Sequence, residues 1–88
     1  MKADTKKQVL NRLRRIEGQV RGLQKMVEEG AYCVDVITQT SAVKRALSGV
    51  EDQLMEGHLG SCVIGQMKKG QHDKATKEIL KVYSLKRA

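Results

Sequence analysis

Apolar residues recur along the first third of the chain at the spacing of an amphipathic helix. From Val9 to Val27 they fall alternately four and three residues apart, and most intervening positions are charged or polar. This is the heptad spacing of helices that pack against other helices. Asp4 or Thr5 is the candidate N-cap of this first helix, and Gly30 is the candidate residue that ends it.

A second apolar stripe with the same spacing runs from Val36 to Leu54. Extended backward by three residues, the stripe reaches Cys33. Extended forward by four residues, it reaches His58 and then Cys62. Residues that share such a stripe lie on one face of a helix. Cys33, His58 and Cys62, the candidate metal ligands, therefore lie on or beside one helix face.

Several glycines make the end of this second helix uncertain. Because glycine disfavours helix, a break near residues 57–60 stays open as an alternative to one long helix. A polar segment follows, and then a short third helix is predicted over Asp73–Ser84 with Ala75, Ile79 and Val82 facing inward. The sequence thus predicts an all-α protomer of three helices.

Composition restricts how such a protomer is stabilised. The chain has 88 residues, no Phe, Trp or Pro, and two Tyr, so its core must be aliphatic. We expect one domain spanning 1–88, and chains of this size often depend on a partner, a metal or a disulfide. The sequence shows neither an apolar run long enough to span a membrane nor a signal peptide. We therefore expect a cytoplasmic protein with reduced cysteines, which favours ligands or sensors over disulfides.

Basic charge is concentrated at the two ends of the chain. The totals are 17 Lys and Arg against 10 Asp and Glu. Residues 1–29 carry eight basic and four acidic residues, residues 30–66 carry two and four, and residues 67–88 carry seven and two. A basic surface of this kind favours a polyanion partner, usually nucleic acid. The alternative is a soluble basic protein with scattered surface charge.

His58 and Cys62 are four residues apart, so on a helix their side chains share one face and could bind one metal ion. A third ligand is needed, and Cys33 is the candidate. If the second helix is continuous, Cys33 lies roughly 37 Å from His58, at about 1.5 Å per residue, and cannot reach the same ion. An antiparallel dimer would bring it beside His58 and Cys62 of the partner subunit and create two equivalent sites.

Two thiolates and one imidazole form a soft set of three ligands. Such a set favours Cu(I), whereas Zn(II) and Ni(II) normally require a fourth ligand. The alternative is that Cys33 and Cys62 are small hydrophobic side chains and that His58 is an ordinary residue of the helix surface.

Residues 12–47, RLRRIEGQVRGLQKMVEEGAYCVDVITQTSAVKRAL, resemble the core of the copper-sensitive operon repressor family, which also contains nickel, formaldehyde and persulfide sensors. The resemblance implies a three-helix protomer, an antiparallel dimer of long helices, and a homotetramer built as a dimer of dimers. It also implies a bacterial transcriptional repressor that binds DNA without a helix-turn-helix.

The pattern of ligands favours the copper-sensing branch of that family. By resemblance, the Cu(I) ligands are Cys33, His58 and Cys62, and the residues that hydrogen-bond around them are Tyr32 and Glu78. Nickel sensors add an N-terminal His, and residues 1–31 of this chain contain none. Formaldehyde sensors usually lack the second Cys, which is present here as Cys62, and persulfide sensors usually lack the His, which is present as His58. The persulfide sensors are the closest alternative, because two facing thiols could also form a disulfide or polysulfide bridge.

The resemblance also assigns the DNA contacts to basic residues of the first two helices. The candidates are Arg12, Arg14, Arg15, Arg21, Lys44 and Arg45. Binding of Cu(I) is expected to release double-stranded operator DNA and so derepress genes for copper export or homeostasis. Outside the family, the alternative is a structural helical protein associated with nucleic acid. An enzyme is not expected, because no orienting acid accompanies the Cys and His residues.

Overall fold

The computed structural model describes residues 1–87, and each regular element in that range is a helix. Helix α1 spans Ala3–Glu28, α2 spans Cys33–Gly57, a π-helical segment spans His58–Val63, α3 spans Ile64–Lys68 and α4 spans His72–Arg87. The prediction of an all-α protomer is confirmed. The three predicted helices are also recovered, because the π segment and α3 continue α2 without a turn. None of the helices within residues 1–87 has the length and hydropathy required to cross a membrane.

Helices α1 and α2 form an antiparallel hairpin whose apolar stripes face each other. The buried cluster consists of Val9, Ile16, Val43 and Val50, with Leu23, Ala46 and Leu54 packed against it. Across the same interface, the Gln53 side-chain amide donates a hydrogen bond to Gln8 at 2.6 Å. The heptad pattern therefore identified the packed faces of both helices correctly.

Only part of each predicted apolar stripe is buried within the protomer. Leu13 and Val20 of α1 remain 38% and 39% exposed, and Leu47 of α2 remains 42% exposed. These residues lie at the intermediate positions of the heptads whose other positions form the core. A second apolar surface therefore runs along the hairpin, beside the buried seam.

Glycines with left-handed backbone conformation end two of the helical runs. Gly30 has φ +69° and Gly70 has φ +74°. In both turns the glycine N–H and the next N–H bond back to carbonyls of the last helical turn: Gly30 to Val27, Ala31 to Met26, Gly70 to Met67 and Gln71 to Gln66. This is the Schellman arrangement, which favours glycine because a Cβ is strained at such φ values. The prediction that Gly30 ends the first helix is confirmed.

The predicted N-cap of the first helix is wrong. Helix α1 begins at Ala3, and Lys2 occupies the N-cap position without a side-chain capping bond. Asp4 lies in the first turn, where a carboxylate favours the positive end of the helix dipole. Thr5 instead faces α2, where its methyl group would lie 3.6 Å from a Cβ at Gly57. Thr5 thus packs against α2 from inside the helix, although its local capping preference had suggested a place at the helix start.

The backbone of residues 33–68 forms one continuous helical rod. Gly57 and His58 keep helical dihedral angles (φ −64° and ψ −38°; φ −62° and ψ −47°), as do Val63 and Ile64 at the other junction. The break considered near residues 57–60 does not occur. The glycine-rich stretch changes its hydrogen bonding from the α to the π pattern and leaves the helix axis continuous.

Helix α4 folds back along the end of the rod. It is longer at both ends than the predicted Asp73–Ser84, and its Ala75 is buried as expected. Near its end, the Lys86 ammonium bonds to Ser48 at 3.3 Å and to the carboxylate of Asp52. The hydrogen bond to Asp52 raises the pKa of Lys86 above its ordinary value. These contacts hold the last turns of α4 against α2.

The protomer is a single layer of helices. Its principal extents are 56 × 28 × 13 Å, and the smallest is close to the diameter of one helix, about 10–12 Å. The radius of gyration is 17.2 Å, whereas a compact chain of this length would have about 12 Å. Within residues 1–87 no large side chain is less than 2% exposed. The helices therefore leave apolar surface uncovered on the layer.

We expect Gly70→Ala to lower the free energy of unfolding by about 1–2 kcal/mol, since an L side chain is strained in the left-handed region. Chemical denaturation at a fixed protein concentration measures this change. Gly65→Ala is the matched control, because a Cβ there meets nothing within 4 Å and Gly65 lies inside a helix. Equal loss of stability in both variants would contradict the assignment.

Candidate metal centre and nucleic-acid interface

The three predicted metal ligands lie at two separate places on the rod. Cys33 is the first residue of α2, whereas His58 and Cys62 lie in the π segment. At about 100° per residue, Cys33 and His58 point in directions only about 20° apart, although roughly 37 Å of helix separates them. Both cysteines are free and exposed. Within residues 1–87 no three His, Cys, Asp or Glu side chains come close enough to hold one metal ion.

The π segment affects how His58 and Cys62 are aligned. In an α-helix, residue i+4 lies about 40° past a full turn from residue i. A π turn closes its hydrogen bond on the fifth residue and holds more residues, so residues i and i+4 still lie on one face of the helix. Within this segment the Ser61 hydroxyl donates a hydrogen bond to the Gly57 carbonyl at 2.7 Å. His58 and Cys62 therefore remain on one face of the rod within the π segment.

A carboxylate of α4 lies against the His58 ring. The distance from His58 Nε2 to Glu78 Oε2 is 3.4 Å, and the two side chains are 25% and 37% exposed. The same Glu78 oxygen accepts a hydrogen bond of 3.0 Å from the side-chain amide of Gln66. Of the two residues predicted around the ligands, Glu78 thus lies beside His58. Tyr32 lies at the other end of the rod, next to Cys33 and 67% exposed.

His58, Cys62 and Glu78 also line an open groove of about 790 Å³ between the N-terminal turns of α1, the π segment and α4. Apolar side chains, among them Leu54 and Val82, form part of its wall. The imidazole and one thiol are therefore reachable from solvent beside an apolar surface. A small soft ion could reach this pair without any movement of the backbone.

Gln66 is the member of this cluster that the sequence analysis missed. It lies four residues after Cys62 and eight after His58, so a face of the rod continued beyond Cys62 includes it. That spacing was the available signal. The spacing did not predict that Glu78 is its partner, because this depends on how α4 folds back.

The six candidate DNA-contacting residues are all exposed, and they occupy more than one face of the hairpin. Arg14 and Arg21 lie seven residues apart on the side of α1 that faces away from α2. Arg14 bonds to Asn11 at 3.3 Å, and Arg21 forms an ion pair with Glu17.

Arg12 lies instead across the hairpin. A Cβ at Gly49 would be only 3.0 Å from its guanidinium, so the glycine gives this side chain room on α2. Arg45 lies one turn before Gly49, on the face of α2 that the Arg12 guanidinium approaches. Within the described part of the chain, Arg15, Lys44 and Arg45 form no ion pair. These three charges are therefore available to an anionic partner.

Comparison with known proteins decides the family. A family model described as metal-sensitive transcriptional repressor matches residues 5–84. The chain belongs to that family. This confirms the resemblance drawn from residues 12–47. It also confirms that a regulator, and not an enzyme, was the correct prediction, because the family consists of transcriptional repressors.

Individual relatives give the same result. Over 78 residues the chain is 49% identical to the copper-sensing transcriptional repressor CsoR of Bacillus subtilis (strain 168), a match that covers 89% of this chain and 77% of the relative. The fold matches the crystal structure of the copper-sensing repressor CsoR with Cu(I) from Geobacillus thermodenitrificans NG80-2 with a TM-score of 0.91, 38% identity, and coverage of 100% of this chain and 92% of that one. The nickel-responsive transcriptional regulator InrS matches with a TM-score of 0.76 and 31% identity, over 89% and 88% of the two chains.

Proposed function

We propose that this chain is a Cu(I)-responsive transcriptional repressor, a single metal-sensing and DNA-binding domain that releases its operator when copper binds. The observation that carries the proposal is the set of donors: His58 and Cys62 share one face of the π segment, and Cys33 lies on the same face of the rod in a member of this family. The regulated genes would serve copper export or homeostasis. The protein would act in the cytoplasm, where thiols stay reduced.

The proposed assembly is an antiparallel dimer. Its support is the one-helix thickness of the layer and the apolar positions left exposed along the hairpin, including Leu13, Val20 and Leu47. An antiparallel partner would cover this surface and carry Cys33 to His58 and Cys62 of the partner subunit. Two such dimers would pair into a homotetramer, in line with what the family resemblance implies.

The donor set fits Cu(I). Two thiolates and one imidazole are soft ligands that satisfy Cu(I) with three bonds, whereas Zn(II) would require a fourth. Glu78 adds an orienting contact, because its carboxylate oxygen faces His58 Nε2 at 3.4 Å. A carboxylate accepts hydrogen bonds, so it favours the tautomer with the proton on Nε2 and leaves the lone pair of Nδ1 for the metal.

The proposed switch couples the metal centre to helix positions. Tyr32 adjoins Cys33, so in the dimer it would arrive at the centre together with that ligand and meet the His58–Glu78 pair from the other subunit. Binding of the metal would fix the orientation of the His58 ring. Because Glu78 contacts this ring, the position of α4 would change with it. Copper would favour a form of the protein with weak affinity for DNA. By thermodynamic reciprocity, DNA would then weaken copper binding by the same factor.

The proposed DNA surface is formed by Arg12, Arg14, Arg15, Arg21, Lys44 and Arg45. Four copies in a tetramer would give a wide surface that binds phosphates and depends strongly on salt. Its support is that the six side chains are exposed and that Gly49 lets Arg12 lie on the face of α2 that carries Arg45.

A second candidate function uses the same thiols. Cys33 and Cys62 are both free and exposed, which also suits a sensor of persulfide that would bridge them across the dimer. The likeness to InrS keeps nickel as a further candidate inducer.

The first test is an anaerobic operator-binding assay on reduced protein with Cu(I), Ni(II), Zn(II) or a persulfide donor added separately. We expect release of DNA by about one Cu(I) per protomer, and loss of this response in His58→Ala, since the site would keep only two ligands. Release by persulfide alone, unchanged in His58→Ala, would move the protein to the thiol-sensing function.

A mixing experiment tests whether the sites lie between protomers. Cys33→Ala protein and His58→Ala/Cys62→Ala protein each lack complete sites. In a mixed antiparallel dimer, one of the two sites regains all three ligands, because Cys33 comes from one chain and the other two ligands from its partner. We expect tight Cu(I) binding, at up to one ion per mixed dimer, to appear only after the proteins are unfolded and refolded together. Binding that never appears would contradict the shared site.

The salt dependence of operator binding tests the DNA surface. Replacing Lys44 and Arg45 by Ala should weaken binding to every sequence and reduce the slope of log K against log salt by about 0.9 for each phosphate that is no longer neutralised. Lys74→Ala/Lys77→Ala on α4 is the matched control, because it also removes two charges and these exposed lysines lie outside the proposed surface. Equal effects in the two proteins would assign the binding to net charge alone.

A further inference from the structure

The side-chain amide of Gln66 connects the end of the rod to the carboxylate that faces His58. Its Nε2 donates to Glu78 Oε2 at 3.0 Å, and the same oxygen lies 3.4 Å from His58 Nε2. An ionised carboxylate only accepts hydrogen bonds, so the NH₂ end of the amide must point toward it. One oxygen atom of Glu78 thus faces nitrogen atoms from two parts of the rod.

Gln66 also ties the rod to α4 through its backbone. Its carbonyl accepts the Gln71 N–H at 2.7 Å in the turn closed by Gly70. The side chain reaches Glu78 on α4 and the main chain holds the turn that leads into α4. Any displacement of α4 relative to the π segment therefore has to change a hydrogen bond of Gln66.

Stability alone does not account for a glutamine at this position. The Oε1 atom of Gln66 is buried and has no hydrogen-bond partner within residues 1–87. Leaving a buried acceptor unpaired costs free energy that an apolar side chain of similar length would not lose. The compensating gain is the hydrogen bond that keeps Glu78 in place. The Glu78 side chain is 37% exposed and would otherwise be free to turn toward solvent.

We propose that Gln66 is a positioning residue of the metal centre: it holds Glu78 against His58 Nε2, so that Nδ1 is presented to the metal and ligation is transmitted to α4. This inference rests on the proposed function, and it adds a residue that the family's pattern of ligands does not contain. Gln66 touches no ligand donor atom itself. It acts through Glu78, as second contacts around metal-binding histidines generally do.

Gln66→Met is the direct test, because methionine keeps the length of the side chain and removes the donor. We expect the ratio of operator affinities without and with Cu(I) to fall roughly tenfold, the lower range for removal of a group that orients a ligand. The midpoint of thermal unfolding should stay unchanged or rise, since the unpaired acceptor is removed as well. ¹⁵N NMR of the His58 ring in the metal-free protein should change from the Nε2–H tautomer to a mixture.

Gln53→Met is the matched control. Gln53 also donates an amide hydrogen bond to another helix and also has a buried, unpartnered Oε1, but its partner is Gln8. We expect the His58 tautomer and the copper response of this variant to match the wild type. If Gln53→Met and Gln66→Met reduce the response equally, the effect is general loosening and the inference is wrong.

A double-mutant cycle keeps the test decisive if Gln66→Met is poorly folded. Glu78→Ala and the pair Glu78→Ala/Gln66→Asn should show the same loss of copper response, whereas Gln66→Asn alone loses part of it, because a residue that acts only through Glu78 has nothing further to lose once that carboxylate is removed. Additive losses would overturn the inference. Failure of Cu(I) to release DNA from the wild type would instead reject the proposed function, and the tautomer measurement on metal-free protein would still test the role of Gln66.

Discussion

The unbroken helical backbone of residues 33–68 is the constraint on which the rest of the structure depends. It fixes Cys33 at one end of a straight rod and His58 and Cys62 near the other, on one face. A chain with a turn near Gly57 could fold the ends together and complete a site alone. With the rod continuous, the proposed set of three ligands and the exposed apolar seam of the hairpin both support the same proposal, a second protomer running in the opposite direction.

Much of the fold could be predicted because heptad spacing is a property of sequence alone. The stripes of α1 and α2 identified Val9, Ile16, Val43 and Val50 among the packed residues, and the core contains all four. Spacing does not report which part of a stripe packs inside the protomer and which part is left for a partner. That division depends on the single-layer architecture, which no local pattern encodes.

The features that sequence reasoning missed are those decided by tertiary contacts. The N-cap prediction was wrong because α1 begins at Ala3, so that Asp4 and Thr5 lie inside the helix and Thr5 packs toward Gly57. Glycines near residue 60 are compatible with a break, an α-helix or a π segment, and local propensity does not separate these. The candidate ligands could be chosen from their spacing and chemistry. The spacing of Gln66 after Cys62 was a signal, but its partner was not predictable, because that depends on where α4 brings Glu78.

The π segment has a geometric consequence for the residues that follow it. Because it fits more residues into a turn, every side chain after Val63 is rotated about the rod axis relative to an uninterrupted α-helix. The directions in which the side chains of α3 point therefore differ from those that an uninterrupted continuation of α2 would give. One helix can then present a seam to α1 along most of its length and a differently directed face to α4 at its end. A single-residue insertion or deletion in this stretch would change the angular register between these faces while leaving both hydrophobic patterns intact.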